Sequence, residues 1–300
     1  MLQLFPRGFR AERRSANGIS LNVCYDGTPA FGRAPLLLLH GFPQTHAIWH
    51  RVAERLRQRF ITVMPDLRGY GDSDKPESLP DHSTYSKRAM ARDVLDLMRS
   101  FGFERFFVCG HDRGGRVAHR LALDHPHAVR ALAVLDISPT LTMYERTTME
   151  FARAYYHWFF LIQPAPLPER LIGADPVFYL RKKLGGWGSE GLSIFDPSAL
   201  REYERCFADP KAVHAMCEDY RAAATIDLTH DREDAARRID CPVLALWGER
   251  GVVHRVFTPL ADWETKCARG VTGRALPAGH YLPEEAPEAL AAELEGFFAQ

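Results

Sequence analysis

The chain predicts a mostly parallel β-sheet flanked by helices on both faces, interrupted once by an inserted helical cap. Three observations predict it. Short continuous apolar runs recur between turn residues, amphipathic segments separate them, and this rhythm stops after Leu135 and resumes at Val243. Strand–helix alternation of this kind implies a parallel sheet covered on both faces.

The runs are Leu36–Leu39, Phe60–Met64, Phe106–Cys109, Ala131–Leu135 and Val243–Trp247, with Arg274–Leu276 as a short further strand. Continuous apolar runs fit strands buried on both faces, although periodicity alone does not separate them from helix pieces. The amphipathic segments are Ile48–Arg59, Tyr85–Phe101, Gly115–Asp124 and Pro287–Phe298. From Pro139 to Thr225 the chain is rich in helix formers and aromatics, with Tyr155, Tyr156, Trp158, Phe159 and Phe160 crowded together. This predicts a core of residues 1–138 and 226–300 with a cap at 139–225. Long insertions between core strands are thermodynamically tolerable.

Composition narrows the partners. The chain has 300 residues, enough for one substantial core. Lys+Arg and Asp+Glu both number 38, which argues against nucleic acid or an anionic membrane as main partner. Neither a signal-peptide pattern nor a membrane-spanning apolar stretch is legible. The 6 cysteines are scattered without a C-x-x-C pair. They read as reduced thiols of a cytoplasmic protein, neither a disulfide framework nor a metal site.

The chemistry centres on Gly110-His111-Asp112-Arg113-Gly114, between a strand and a helix. This has the form of the G-x-S-x-G nucleophile elbow with aspartate in the serine position. A carboxylate there is already an anion and needs no base to activate it, so it suits displacement at an alkyl carbon. A helix-capping aspartate is the plainer alternative. His280, in Leu276-Pro277-Ala278-Gly279-His280, is the candidate general base. Its orienting acid is expected at Asp136, at the end of Val134-Leu135-Asp136, with Glu249 as fallback because Gly251 stands where the other usual acid would sit. The loop His40-Gly41-Phe42-Pro43 is expected to supply the Phe42 backbone N–H to an oxyanion hole, with Arg113 N–H as second donor.

Arg113 and Arg116 share one face of the helix's first turn. Cations there oppose the helix dipole at a cost of about 0.3–1 kcal/mol each, which points to a compensating anion. Asp112 would serve, but a substrate carboxylate is the sharper expectation, gripped by guanidinium forks with paired hydrogen bonds.

With these residues the chain resembles the fluoroacetate (haloacetate) dehalogenases of the α/β-hydrolase superfamily. The likeness runs from about Leu36 to the C-terminus. It rests on His40-Gly41-Phe42-Pro43-Gln44, Asp66-Leu67-Arg68-Gly69-Tyr70-Gly71, the elbow through Arg116, and Val134-Leu135-Asp136-Ile137. Epoxide hydrolases and haloalkane dehalogenases share much of this but typically carry Trp after the nucleophile, where this chain has Arg113. The resemblance implies a halide site at His157, Trp158 and Tyr220, a cofactor-free and metal-free enzyme, and often a homodimer. It implies that Asp112 attacks the α-carbon and that His280, oriented by Asp136, hydrolyses the resulting ester, taking fluoroacetate and water to glycolate and fluoride. An epoxide hydrolase is the rival, with Tyr220 and Tyr155 or Tyr156 as its phenols. A non-catalytic binding protein on the same fold is a further alternative.

Overall fold

A computed structural model describes residues 4–28 and 32–299. Its centre is an 8-stranded sheet in the order β1-β2-β4-β3-β5-β6-β7-β8. The strands are β1 (Phe9–Ala16), β2 (Ile19–Asp26), β3 (Ala34–Leu39), β4 (Phe60–Pro65), β5 (Phe106–His111), β6 (Val129–Leu135), β7 (Val243–Gly248) and β8 (Val271–Leu276). All pairings from β4 to β8 are parallel, and β2 runs antiparallel to both β1 and β4.

Alternate residues of the apolar runs feed opposite faces, as the twofold period of a strand requires. Leu37, Leu39, Val108 and Val134 join the core on one face; Leu36, Leu38, Cys109 and Leu135 join the core on the other. On the second face α1 (His50–Leu56) packs against the C-terminal helix. On the first, α2 (Lys87–Ser100) packs against α3 (Arg113–Asp124). Between β6 and β7 stand α4 (Thr140–Glu145), α5 (Met149–Ala154), α6 (Tyr156–Leu161), α7 (Leu167–Ala174), α8 (Pro176–Leu184), α9 (Pro197–Phe207), α10 (Pro210–Ala224) and α11 (Ile226–Glu233). After β7 come α12 (Val252–Val256), α13 (Pro259–Glu264), α14 (Leu282–Glu285) and α15 (Pro287–Phe298).

Two elements differ from the sequence expectation. The β1–β2 hairpin was not anticipated. Asn17 and Gly18, both at positive φ (48° and 77°), turn the chain, and Ala16 pairs with Ile19 across them. Asn-Gly is a strong two-residue hairpin signal, but the charged outer face of β1 hides its strand character. In addition, the amphipathic run Gly115–Asp124 extends back to Arg113 in α3, which puts Arg113 and Arg116 on the first turn as expected.

The winding of the chain reverses at β3, so the loops leaving β3 and β5 sit side by side at the carboxyl ends of the strands. Open α/β sheets place their ligands at such a switch point. Phe42, Asp112, Asp136 and His280 all follow the carboxyl ends of strands here: β3, β5, β6 and β8.

Candidate active site

Asp112 adopts φ 47° and ψ −113°, a conformation rare for a side-chain-bearing residue. The elbow tolerates it because Gly110 lets the backbones close up. A Cβ on Gly110 would lie 2.4 Å from the Gly114 carbonyl oxygen. The Asp112 carboxylate is buried, and Phe42 N–H donates to its Oδ1 at 3.0 Å. Gly41 is needed beside it, since a Cβ there would lie 2.5 Å from Asp112 Cβ. Burial alone would raise the Asp112 pKa. His280, Arg116 and Arg113 outweigh it and hold the group below the usual carboxylate range, hence ionised.

His280 Nδ1 lies 2.6 Å from Asp136 Oδ2, and Gly248 N–H donates to Asp136 Oδ1 at 3.0 Å. Glu249 is exposed, so Asp136 and not Glu249 is the carboxylate bonded to His280. Gly251 packs against Asp136 instead, with room for a Cβ only 3.2 Å from Oδ1. Burial lowers the His280 pKa, but the hydrogen bond and charge of Asp136, with Asp112 behind them, raise it overall. Its Nε2 is buried and has no hydrogen-bond partner among the described residues. His111 Nε2 donates to the His280 carbonyl at 2.8 Å, and burial with His280 nearby pushes the His111 pKa down to about 3, leaving it neutral.

The two arginines are held differently. Arg113 Nε donates to Asp219 Oδ2 at 2.9 Å and Nη2 to Oδ1 at 2.7 Å, while Nη1 has no partner among the described residues. Arg116 Nη1 donates to Thr140 Oγ1 at 2.9 Å and the Ser138 carbonyl at 3.2 Å, and its Nε has no partner among the described residues. Arg116 is 2% exposed, yet it makes no ion pair with a carboxylate among the described residues. Burial and the neighbouring Arg113 pull its pKa down, with Asp112 opposing.

This corrects one expectation. The paired fork of Arg113 grips a protein carboxylate, Asp219, so an incoming anion would meet only its Nη1. Asp219 lies in the segment Glu218-Asp219-Tyr220-Arg221, where only Tyr220 had been singled out.

Residues of the segment between β6 and β7 complete the enclosure. The Tyr220 ring lies 4.3 Å from Arg113 Cζ, and the Trp158 ring 4.7 Å from Arg116 Cζ. The His157 ring stacks on Phe42 at 5.6 Å and meets Tyr220 at 5.5 Å. His157 Nδ1, Trp158 Nε1 and Tyr220 Oη are buried without partners among the described residues. Most buried polar groups in folded proteins are hydrogen-bonded, so this grouping calls for a functional reason. Burial, with Lys183, His280 and Arg113 nearby, drives the His157 pKa well down, leaving a neutral ring with one N–H to give. Trp187, also not anticipated, packs beside the site with its ring 4.7 Å from His157 and 5.1 Å from His280. Of the two further phenols considered from sequence, Tyr155 Oη lies 3.4 Å from His280 Nδ1, whereas Tyr156 is 45% exposed and packs against Lys183.

A base must be neutral, and a raised pKa means His280 is protonated at a higher pH than an ordinary histidine (~6.5). Turnover is therefore expected to fall on acidification with a midpoint above that value. Asp136→Asn should move the midpoint down. A pH–rate profile of kcat checks both, and an unmoved midpoint in the variant would contradict the coupling.

The alpha/beta hydrolase fold family matches residues 34–287. The chain is 46% identical to a fluoroacetate dehalogenase from a Burkholderia species, covering 97% of this chain and 94% of that one. It is 32% identical to a soluble epoxide hydrolase from a Corynebacterium species, covering 88% and 90%. Among solved structures, an alpha/beta hydrolase from Nostoc sp PCC 7120 superposes with a TM-score of 0.94 at 54% identity, covering 97% and 98%. The epoxide hydrolase CorEH superposes with a TM-score of 0.86 at 30% identity, covering 97% and 99%. The chain is a hydrolase and belongs to the haloacetate dehalogenase family of the α/β-hydrolase superfamily.

Proposed function

We propose that this enzyme hydrolyses the carbon–halogen bond of small 2-haloacids, fluoroacetate among them, through an ester on Asp112. The observation that carries this reading is Arg116: a buried cation beside the nucleophile with no carboxylate in ion-pair contact among the described residues. Burying an unpaired charge is costly, and a substrate carboxylate would compensate it. The relative described as a fluoroacetate dehalogenase supports the same substrate class.

In this reading residues 139–225 form the cap and 1–138 with 226–300 the core. The substrate carboxylate sits between Arg113 Nη1 and Arg116 Nε. Asp112 Oδ1 is engaged by Phe42 N–H, leaving Oδ2 to attack the α-carbon. The new O–C bond forms as the C–X bond breaks, and the halide leaves with the bonding pair toward His157, Trp158 and Tyr220. His280 Nε2 then takes a proton from water, and the hydroxide adds to the Asp112 carboxyl carbon. The oxyanion develops on Oδ1, where Phe42 N–H already stands and Arg113 N–H would be the second donor. Collapse expels the hydroxyacid oxygen, which takes up the proton held by His280. The homodimer and the cytoplasmic location belong to the same reading; six buried, unpaired cysteines fit a reducing compartment.

Epoxide hydrolysis asks for two phenols aimed at one oxygen and offers no anion to hold. The exposure of Tyr156 and the unpaired cation at Arg116 both favour the haloacid. The retained Asp112–His280–Asp136 set speaks against a silent binding protein. Halide release should be measured with fluoro-, chloro- and bromoacetate beside a neutral epoxide and a neutral haloalkane. The haloacetates are expected to be turned over and the neutral compounds far less; the reverse order would sink the proposal.

A further inference from the structure

Asp219 is fully buried at the seam between α10 and the core, and four donors converge on its carboxylate. Besides Arg113 Nε and Nη2, Tyr70 Oη donates to Oδ2 at 2.7 Å, and Lys87 Nζ donates to Oδ1. Arg113 Nη2 also reaches the Asp219 carbonyl at 2.8 Å. Lys87 is itself tied to Asp227, whose Oδ1 accepts from the Lys87 backbone at 2.8 Å and whose Oδ2 lies 3.5 Å from Nζ. Two cations therefore face two carboxylates in this cluster. Burial raises the Asp219 pKa, but Arg113 and Lys87 more than cancel it and keep the group ionised.

We propose that Asp219 is a positioning residue for the substrate carboxylate, acting through Arg113. It occupies the Nε/Nη2 edge of the guanidinium while the Tyr220 ring covers a face, so only Nη1 is left to meet the substrate. It also supplies Arg113 with a counterion other than the nucleophile. Arg113 directly follows Asp112 and its charge already acts on that carboxylate, so without Asp219 the fork is free to turn toward Asp112. Engaged that way, Asp112 would lose nucleophilicity and the carboxylate would lose one of its two anchors. Misplacement of a reacting carbon by about 1 Å is enough to slow a reaction about 100-fold.

The inference rests on the proposed haloacid reaction, so the test begins with the wild-type enzyme. Enzyme is mixed with excess fluoroacetate, and fluoride is followed in the pre-steady state. No fluoride release by the wild type would overturn the functional reading itself. With the wild type active, Asp219→Asn is expected to slow ester formation about 100-fold per active site. Binding of acetate, measured by calorimetry, is expected to weaken far less, because removing a negative charge leaves the site more positive. Asp227→Asn lies in the same cluster without touching Arg113 and is expected to keep the wild-type rate constant.

A merely structural role would lower the melting temperature and the fraction of active sites, and would leave the rate constant per active site unchanged. An unchanged rate constant in Asp219→Asn, or an equal loss in Asp227→Asn, overturns the proposal. If Asp219→Asn does not fold, Tyr70→Phe carries the test, since it removes only one hydroxyl from Asp219 Oδ2. Slower ester formation at full active-site content supports the proposal, and a wild-type rate constant overturns it.

Discussion

His280→Asn is expected to release about one halide per active site and then stop. Ester formation needs only the ionised Asp112, whose Oδ1 is held by Phe42 N–H. Hydrolysis needs a base at Nε2, the atom that has no partner among the described residues. Asparagine cannot take the proton from water at that place, so steady-state turnover should fall on the order of 10,000-fold or more, as for general-base losses in other covalent enzymes. The halide burst should survive, because Arg113, Arg116, His157, Trp158 and Tyr220 are untouched. Stopped-flow halide detection checks both parts. Loss of the burst together with turnover would mean that His280 acts before or during displacement, and the order of steps would have to change.

Trp158→Phe and Tyr220→Phe should each slow defluorination by roughly 100–1000-fold, the usual cost of removing a donor aimed at developing negative charge. Debromination should suffer much less. Fluoride is the poorest leaving group of the common halides and the strongest hydrogen-bond acceptor. Both donors are buried and unpartnered among the described residues, and each ring also lies against an arginine. Phenylalanine keeps most of that ring contact and removes only the polar hydrogen, so the comparison isolates the hydrogen bond. Single-turnover rates of ester formation must be used, because ester hydrolysis is common to all halides. Equal losses for fluoroacetate and bromoacetate would assign these side chains to packing of the cap.

The central strands were legible because burial on both faces makes them continuous apolar runs, and residues such as Leu36–Leu39 then alternate between two cores. The elbow was legible because its glycines and aspartate stand at fixed spacing after a strand. His280 and Asp136 were readable as places in chain order, and the structure brings them to 2.6 Å. Asp219 was not readable. A charged residue on a helix such as α10 looks in sequence like part of a solvated face, and only the packing of α10 onto Arg113 shows it buried. The same blindness let Arg113 be read as a free fork. Hairpin β1–β2 was missed for a local reason, since Phe9-Arg10-Ala11-Glu12-Arg13-Arg14 has a weak apolar alternation and only Asn17-Gly18 marks the turn.

The central claim is that the oxygen delivered to the substrate comes from Asp112 and not directly from water. It is tested by a single turnover in 18O-labelled water, with wild-type enzyme in molar excess over fluoroacetate. Mass spectrometry is then applied to both the glycolate and the peptide holding Asp112. The account predicts unlabelled glycolate hydroxyl and one 18O in the Asp112 carboxylate, because water attacks the carboxyl carbon of the ester. Label in the glycolate hydroxyl during that first turnover, with none on Asp112, would mean that water displaces the halide directly and would contradict the ester mechanism.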